Sequence, residues 1–236
     1  MDVVVAVLLS LVVVAYNNAI NWWKPFQGAA YVPINLTFAA VTTWIAIAMY
    51  DLSSAELGLR DGFKGASLSL AAVALFALLV FLFARSQHGH HIVDARVVQR
   101  RGRALGYYVL VRIPLGTAVV EELVFRGALF AAWREAGVST AVAALAASAA
   151  FGVWHISPTI IGFRMNEPEA TARKLAAAAF AGVAGTTLAG LLLTWLRLRS
   201  GGLIAPIVIH AGVNSFSALA SAMASRHNQR SGQGRR

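Results

Sequence analysis

The chain of 236 residues contains no cysteine, which excludes a disulfide framework and a thiolate nucleophile. Charge is also scarce, since only 13% of the residues are charged whereas 58% are hydrophobic, and the mean hydropathy is +0.66. A water-soluble domain of this length needs more polar surface, so the composition predicts an integral membrane protein. The net charge of +10 is distributed between apolar runs, as membrane loops require, and predicts no nucleic-acid partner.

Seven apolar runs are long enough to approach the ~30 Å hydrocarbon core of a bilayer. We place them at 3–20, 32–50, 66–84, 106–132, 140–162, 175–196 and 203–224, and an eighth crossing or a re-entrant segment stays open. The first run has no basic segment before it, which favours a retained span over a cleaved signal peptide, although Tyr16-Asn17-Asn18 interrupts it. We therefore predict an all-α fold, a polytopic helical membrane bundle forming one domain over 1–225, followed by a basic, disordered tail over 226–236.

The lysines and arginines predict how this bundle is oriented. With seven spans, most of them fall on the side that carries the 85–103 loop, the 163–174 loop and the C-terminus. The excess of positive charge places that side in the cytoplasm and the N-terminus outside. The abundance of Ala, Val and Arg is typical of a high-GC bacterium, so we expect the bacterial cytoplasmic membrane.

Small residues recur at every fourth position in two of the spans. Ala178, Gly182, Thr186 and Gly190 form one such ladder, and Ala143 and Ala147 lie in another. Ladders of this kind let helix backbones approach closely in lipid. They predict tight helix packing and need no further function.

The fourth run carries three charges at the depth of the membrane. Three buried charges cost roughly 8–10 kcal/mol on the insertion scale, whereas the apolar residues of this run return only about 3–5 kcal/mol. The helix must therefore face a polar interior, protonate a glutamate or pair its charges. Glu122 and Arg126 are four residues apart, which predicts an ion pair, whereas Glu121 is turned about 100° away and needs another partner.

Two histidines lie deep in other spans. His155 ends the stretch "FGVWH", with Phe151 one turn earlier, and His210 begins "HAGVN", with Asn214 one turn later. A single intramembrane histidine is commonly a packing residue. Two histidines, an asparagine and an unpaired glutamate on three spans suggest one site. The residues alone leave a hydrolytic site and a proton or ion path equally open.

These stretches resemble a known family. "EELVFR" from Glu121, "FGVWH" and "HAGVN" are similar, in order and separation, to the EExxxR, FxxxH and HxxxN motifs of the CAAX-protease and bacteriocin-processing family, also called CPBP or Abi. The resemblance extends from about Glu56 to Ala218. It implies an intramembrane endopeptidase that hydrolyses a peptide bond of a membrane-associated peptide or protein.

The resemblance also implies a role for each motif residue. Glu121 and His155 would activate the attacking water, and His210 and Asn214 would stabilise the oxyanion. Supporting roles fall to Glu122, Arg126 and Phe151. A glutamate in low dielectric suits a general base, and the oxyanion needs donors already in place. Water must reach the site, so we expect its cavity to open toward the cytoplasm.

The need for a metal stays open at this point. Glu121, His155 and His210 are a possible zinc set, but the usual HExxH helix is absent. The resemblance favours a mechanism without a cofactor, with zinc as the alternative. Two other classes compete with a protease. One is a non-catalytic scaffold or bacteriocin immunity protein, and the other is a proton-coupled transporter that uses Glu121 and both histidines as relays. No oligomeric state is predicted.

The longest mixed-charge loop follows His155. It reads "GFRMNEPEATARK" over 162–174. We expect it to lie over or beside the mouth of the cavity, and an ordinary connector is an equal alternative.

Overall fold

The computed structural model of the chain describes residues 2–60 and 65–233. Eight helices dominate it, and no strand occurs in the described part, which confirms the all-α prediction. They are α1 (Asp2–Ile20), α2 (Tyr31–Tyr50), α3 (Ala66–Arg85), α4 (102–135), α5 (Thr140–Trp154), α6 (Ile156–Asn166), α7 (Ala172–Ser200) and α8 (Ile204–Gln233). Short helical turns at Lys24–Gln27, Gly89–Ile92 and Ala95–Val98 lie in the connections.

Local sequence explains several of the helix ends. The hydroxyl of Ser139 accepts from the backbone N–H of Val142 and so caps the start of α5. Thr171 caps the start of α7 in the same way, and Gly201, at a φ of 77°, ends that helix in the left-handed conformation that glycine adopts without a steric cost.

Six stretches of the described chain are long and apolar enough to cross a membrane. They are Asp2–Ile20, Tyr31–Tyr50, Ala66–Arg85, Thr140–Asn166, Ala172–Ser200 and Ile204–His227. Each corresponds to one of the predicted spans, including the first, which Tyr16-Asn17-Asn18 does not interrupt. The chain is therefore an integral membrane protein.

The remaining predicted span is α4, which is not among the six. It is helical throughout, but three of its segments, Tyr108–Arg112, Pro114–Val119 and Glu122–Leu129, are wound with π-type hydrogen bonds. Pro114 contributes to this change, because it has no N–H for the carbonyl of Leu110. The prediction of an ordinary α-helix over 106–132 missed this wider winding.

Helix α4 occupies the middle of the bundle. It packs against α2, α5 and α8, and nearly every residue from Ala118 to Ala132 is buried. At one end its Gly127 approaches Leu57, and at the other Arg112 bonds Gln27. Helix α4 thus runs between the same two ends as its neighbours. The other helices separate its charges from lipid, as the insertion cost requires.

At the C-terminal end, α8 continues to Gln233, into the stretch that the sequence predicts as a basic, disordered tail. Extending an existing helix costs much less than starting one, and the one proline of α8, Pro206, lies in its first turn. Residues 234–236 of the predicted tail lie outside the described residues.

Candidate active site

The charges of α4 meet inside the bundle. Arg126 is the largest fully buried side chain among the described residues, and its Nη1 lies 3.1 Å from Oε1 of Glu122, which is also fully buried. The guanidinium carbon of Arg126 also lies 4.1 Å from the centre of the Phe151 ring, a cation–π contact. The ion pair predicted from the spacing of Glu122 and Arg126 is therefore present.

His210 connects the two adjacent glutamates. Its Nδ1 lies 2.7 Å from Oε1 of Glu122, and its Nε2 lies 3.6 Å from Oε2 of Glu121. An ionised carboxylate only accepts hydrogen bonds, so Nδ1 of His210 is the donor to Glu122. This bond fixes the ring with Nε2 toward Glu121.

His155 approaches Glu121 from a different helix. Its Nδ1 lies 2.7 Å from the backbone carbonyl of Phe151, and its Nε2 lies 3.8 Å from Oε2 of Glu121. A carbonyl oxygen can only accept, so Nδ1 carries the proton. In a neutral ring Nε2 therefore presents its lone pair toward Glu121.

The two oxygens of Glu121 have different surroundings. Oε1 accepts a hydrogen bond of 3.2 Å from Nε1 of Trp154. Oε2 is buried and has no hydrogen-bond partner among the described residues, although both imidazole Nε2 atoms lie within 4 Å. Three polar atoms thus face one small volume, at separations that suit a bridging water or a reacting group.

Phe151 fills the space between these polar groups. Its ring makes edge contacts with His155 and His210, at centroid distances of 4.6 and 6.1 Å, and its face meets Arg126. The Phe151 ring thus forms an aromatic wall between the two histidines and Arg126, and its supporting role stays a prediction.

Asn214 follows His210 by one turn of α8. It is partly buried, and its side chain makes no hydrogen bond with any described residue. The structure thus brings six of the seven predicted site residues into contact with one another, and leaves the amide of Asn214 available for a ligand.

An open groove of about 370 Å³ reaches His155 from one end of the bundle. It is lined by Arg96, His155, Pro158, Thr159, Gly162, Phe163 and Asn166. Three of these belong to the predicted 162–174 loop, whose first residues are helical as the end of α6 rather than a loop. At the rim, Arg96 pairs with Asp94 at 2.7 Å. Burial raises the pKa of Asp94, but the hydrogen bonds and charge of Arg96 outweigh it and hold that pKa below its usual value.

The zinc alternative, with Glu121, His155 and His210 as ligands, stays a prediction. No three side chains of His, Asp or Glu in the described ranges are placed to hold one metal ion. The hydrogen bond from Nδ1 of His210 to Glu122 leaves Nε2 as the ring atom of His210 that faces the site.

Sequence reasoning did not identify three residues that contact the site. Trp154 bonds Glu121, and Asn17 and Asn18 bond the backbone beside His155. A signal existed for each of them. Trp154 directly precedes His155, and two adjacent asparagines inside an apolar run need polar partners from another helix.

The comparison with protein families agrees with the motifs. Residues 103–216 match the family model described as type II CAAX prenyl endopeptidase Rce1-like. This segment holds all three motifs but is shorter than the resemblance expected from about Glu56, so α1 to α3 lie outside it. No curated protein and no solved structure matches the chain. Through this segment, which carries all of the predicted site residues, the chain is similar to the Rce1-like type II CAAX prenyl endopeptidase family.

Proposed function

We propose that the protein hydrolyses a peptide bond with a water molecule that Glu121 and His155 activate inside the membrane. The observation that carries the proposal is the partnerless, buried Oε2 of Glu121, which lies 3.8 Å from Nε2 of His155 and 3.6 Å from Nε2 of His210. A water among these atoms would meet a base on one side and imidazole groups on the others. The family match supports endopeptidase activity in general.

The first step is attack on the carbonyl carbon of the substrate. Water loses a proton to the carboxylate of Glu121 as its oxygen bonds to that carbon. The hydrogen bond from Trp154 holds Oε1 and leaves Oε2 directed at the water. His155, with its Nδ1 proton fixed on Phe151, accepts a hydrogen bond from the same water through Nε2. Together they orient the lone pair of the water toward the substrate.

The second step places negative charge on the former carbonyl oxygen. The site contains two glutamates and one arginine, so a protonated His210 makes its net charge zero. In that state Nδ1 of His210 donates to Glu122, and Nε2–H can donate to the oxyanion. The amide of Asn214, one turn further along α8, supplies the second donor.

The third step breaks the carbon–nitrogen bond. Glu121 returns the proton that it took from water to the leaving nitrogen, which departs as an amine. The other product is a carboxylic acid. Glu121 is ionised again at the end, and Glu122 and Arg126 keep their pairing throughout.

The substrate is a membrane-associated peptide or protein that enters through the groove next to His155. The groove opens at the end of the bundle that carries Arg96 and Asn166. The distribution of positive charge predicts that this end faces the cytoplasm. We therefore propose cytoplasmic entry, within a bacterial cytoplasmic membrane.

Cleavage of quenched fluorogenic peptides by the purified protein in detergent tests the proposal. Glu121→Gln keeps the size of the side chain and removes the base, so we expect kcat to fall about 10²–10⁴-fold. Glu167→Gln is the matched control, because Glu167 is an exposed glutamate whose loss leaves the site intact. Equal activity of wild type and Glu121→Gln contradicts the proposed base.

The same preparation separates the remaining alternatives. A chelator that abolishes cleavage, with recovery on adding zinc, supports the metal-dependent protease. A wild-type protein that cleaves no peptide and shows pH-dependent uptake in proteoliposomes supports the transporter. Absence of both activities supports the scaffold or immunity protein.

A further inference from the structure

The helical path through α5 and α6 is broken at His155. Helix α5 ends at Trp154, and His155 has a φ of −89° and a ψ of 4°, outside the helical region. Pro158 explains the position of the break. It has no N–H to donate to the carbonyl of Trp154, four residues earlier, and its ring crowds that carbonyl. Polar backbone groups on both sides of the break therefore need other partners.

Two asparagines at the end of α1 supply these partners. Nδ2 of Asn17 donates to the carbonyl of Trp154 at 2.8 Å, and so replaces the N–H that Pro158 lacks. Nδ2 of Asn18 donates to the carbonyl of Val153 at 2.9 Å, while its Oδ1 accepts from the N–H of Ser157 at 2.8 Å. The amide of Asn18 is thus inserted between backbone groups that precede and follow His155.

Two further hydrogen bonds fasten the same end of α1. The hydroxyl of Ser157 donates to the carbonyl of Asn18 at 2.9 Å, and Nε1 of Trp22 lies 3.1 Å from that hydroxyl. Side chains from α1 therefore hold the break, and the direction in which α6 leaves α5 depends on them.

The direction of the break determines where the His155 ring points. At the break, the backbone N–H of His155 bonds the carbonyl of Gly152 instead of the carbonyl of Phe151. The Phe151 carbonyl accepts from Nδ1 of His155 instead, which turns Nε2 toward Glu121. In a continuous helix the backbone N–H of His155 would donate to the Phe151 carbonyl. Nδ1 of the His155 ring would then lose its hydrogen-bond partner.

We infer that Asn17 and Asn18 are positioning residues of the active site, which hold the helix break so that Nε2 of His155 faces Glu121. The inference rests on the proposed function. It assigns a role in the reaction to α1, which lies outside the segment 103–216 that matches the family. Neither asparagine touches the reacting atoms.

Peptide cleavage by Asn17→Ala and Asn18→Ala tests the inference. A shift of about 1 Å in a reacting group can cost 10²-fold in rate, so we expect kcat to fall about 10- to 100-fold. KM should change less than about threefold, because neither asparagine lines the groove. The control is Ser10→Ala, which removes a hydrogen bond of 3.2 Å between α1 and Trp133 of α4, away from His155. We expect it to retain kcat within about twofold.

Adding Pro158→Ala to Asn17→Ala separates positioning from simple stabilisation. Replacing the proline restores an N–H for the Trp154 carbonyl, so we expect the double variant to recover the loss of about 2–4 °C in Tm that Asn17→Ala causes. We expect kcat to stay low, because a straighter helix still misdirects His155. Recovery of kcat together with Tm overturns the inference, as does wild-type kcat in both single variants. Failure of the wild type to cleave any peptide instead overturns the proposed function.

Discussion

Glu121 and Glu122 are adjacent in the chain but form hydrogen bonds with different partners. Glu122 is fully buried and is bonded to both Arg126 and His210, so its charge is compensated inside the protein. Glu121 receives one hydrogen bond, from Trp154, and keeps its second oxygen for whatever occupies the site. A carboxylate whose free oxygen faces two imidazoles suits proton transfer, whereas one whose charge is compensated by an arginine and a histidine suits support.

The buried pair of Glu122 and Arg126 gives a prediction about stability. Arg126→Met removes the arginine that pairs with the buried Glu122, so we expect a loss of about 3–5 kcal/mol in the free energy of unfolding. Lys174→Met is the control, since Lys174 pairs with Glu167 at a similar distance, but the two side chains are 60% and 47% exposed. That surface pair should be worth at most about 1 kcal/mol.

Denaturant-induced unfolding of the detergent-solubilised variants measures both changes. Equal losses for the two variants would show that burial of the Glu122 pair adds nothing to its stability.

Part of this site could be predicted from the sequence. Whether a contact could be predicted depends on how far apart its two residues lie along the chain. Glu122 and Arg126 meet because one helix brings residues four apart together. Trp154 is 33 residues from Glu121, and Asn17 is 137 residues from the carbonyl that it bonds. Such contacts depend on how the helices pack. The family motifs indicated which distant residues meet, but motif resemblance did not extend to Trp154, Asn17 or Asn18.

At the scale of elements, the packing of α7 depends on glycines that allow close approach. A Cβ on Gly190 would lie 3.0 Å from Cβ of Ser148, and one on Gly182 would lie 2.7 Å from Oγ1 of Thr159. The ladder of small residues therefore faces α5 and α6, as tight packing requires. Apolar run length located these helices correctly, because burial in lipid needs about 20 apolar residues per crossing. It could not indicate the π-type winding of α4, which has no signature in hydropathy.

Two glycine-to-alanine substitutions distinguish packing from helix propensity. A Cβ on Gly152 of α5 would collide with the side chain of Thr187 and the backbone carbonyl of Val183, so we expect Gly152→Ala to cost about 1–3 kcal/mol. A Cβ on Gly185, in α7, meets nothing within 4 Å. Gly185→Ala should therefore be neutral or add up to about 1 kcal/mol.

The midpoint of thermal unfolding in detergent reports both effects. A stabilising Gly152→Ala would mean that α5 and α7 are less closely packed than the described contacts indicate.

At the scale of the whole molecule, hydrogen bonds between residues at the helix ends define the two ends of the bundle. The carbonyl of Gly58 accepts from the N–H of Leu203 at one end. At the other end, the hydroxyl of Ser221 accepts from the N–H of Asp94, and Asn166 accepts from the N–H of Ala95. The groove beside His155 opens at this second end. Which end faces the cytoplasm is predicted by the positive charge of the 85–103 loop.

Cysteine labelling tests this orientation cleanly, because the chain has no cysteine of its own. Gln99 and Glu135 are exposed and lie at opposite ends of α4. With a membrane-impermeant maleimide on intact cells, we expect Glu135→Cys to react and Gln99→Cys to react only after permeabilisation. The reverse pattern would place the groove on the outer side. Labelling of both in intact cells would mean that α4 does not cross the membrane.

The central position of α4 also affects how the protein is made. Its two glutamates and Arg126 leave the ribosome before His210, which follows Glu122 by 88 residues. During that interval the helix lacks the imidazole that later bonds Glu122, and lipid is an unfavourable surrounding for it. We therefore expect stable burial of this helix to be completed only after α8 has been synthesised.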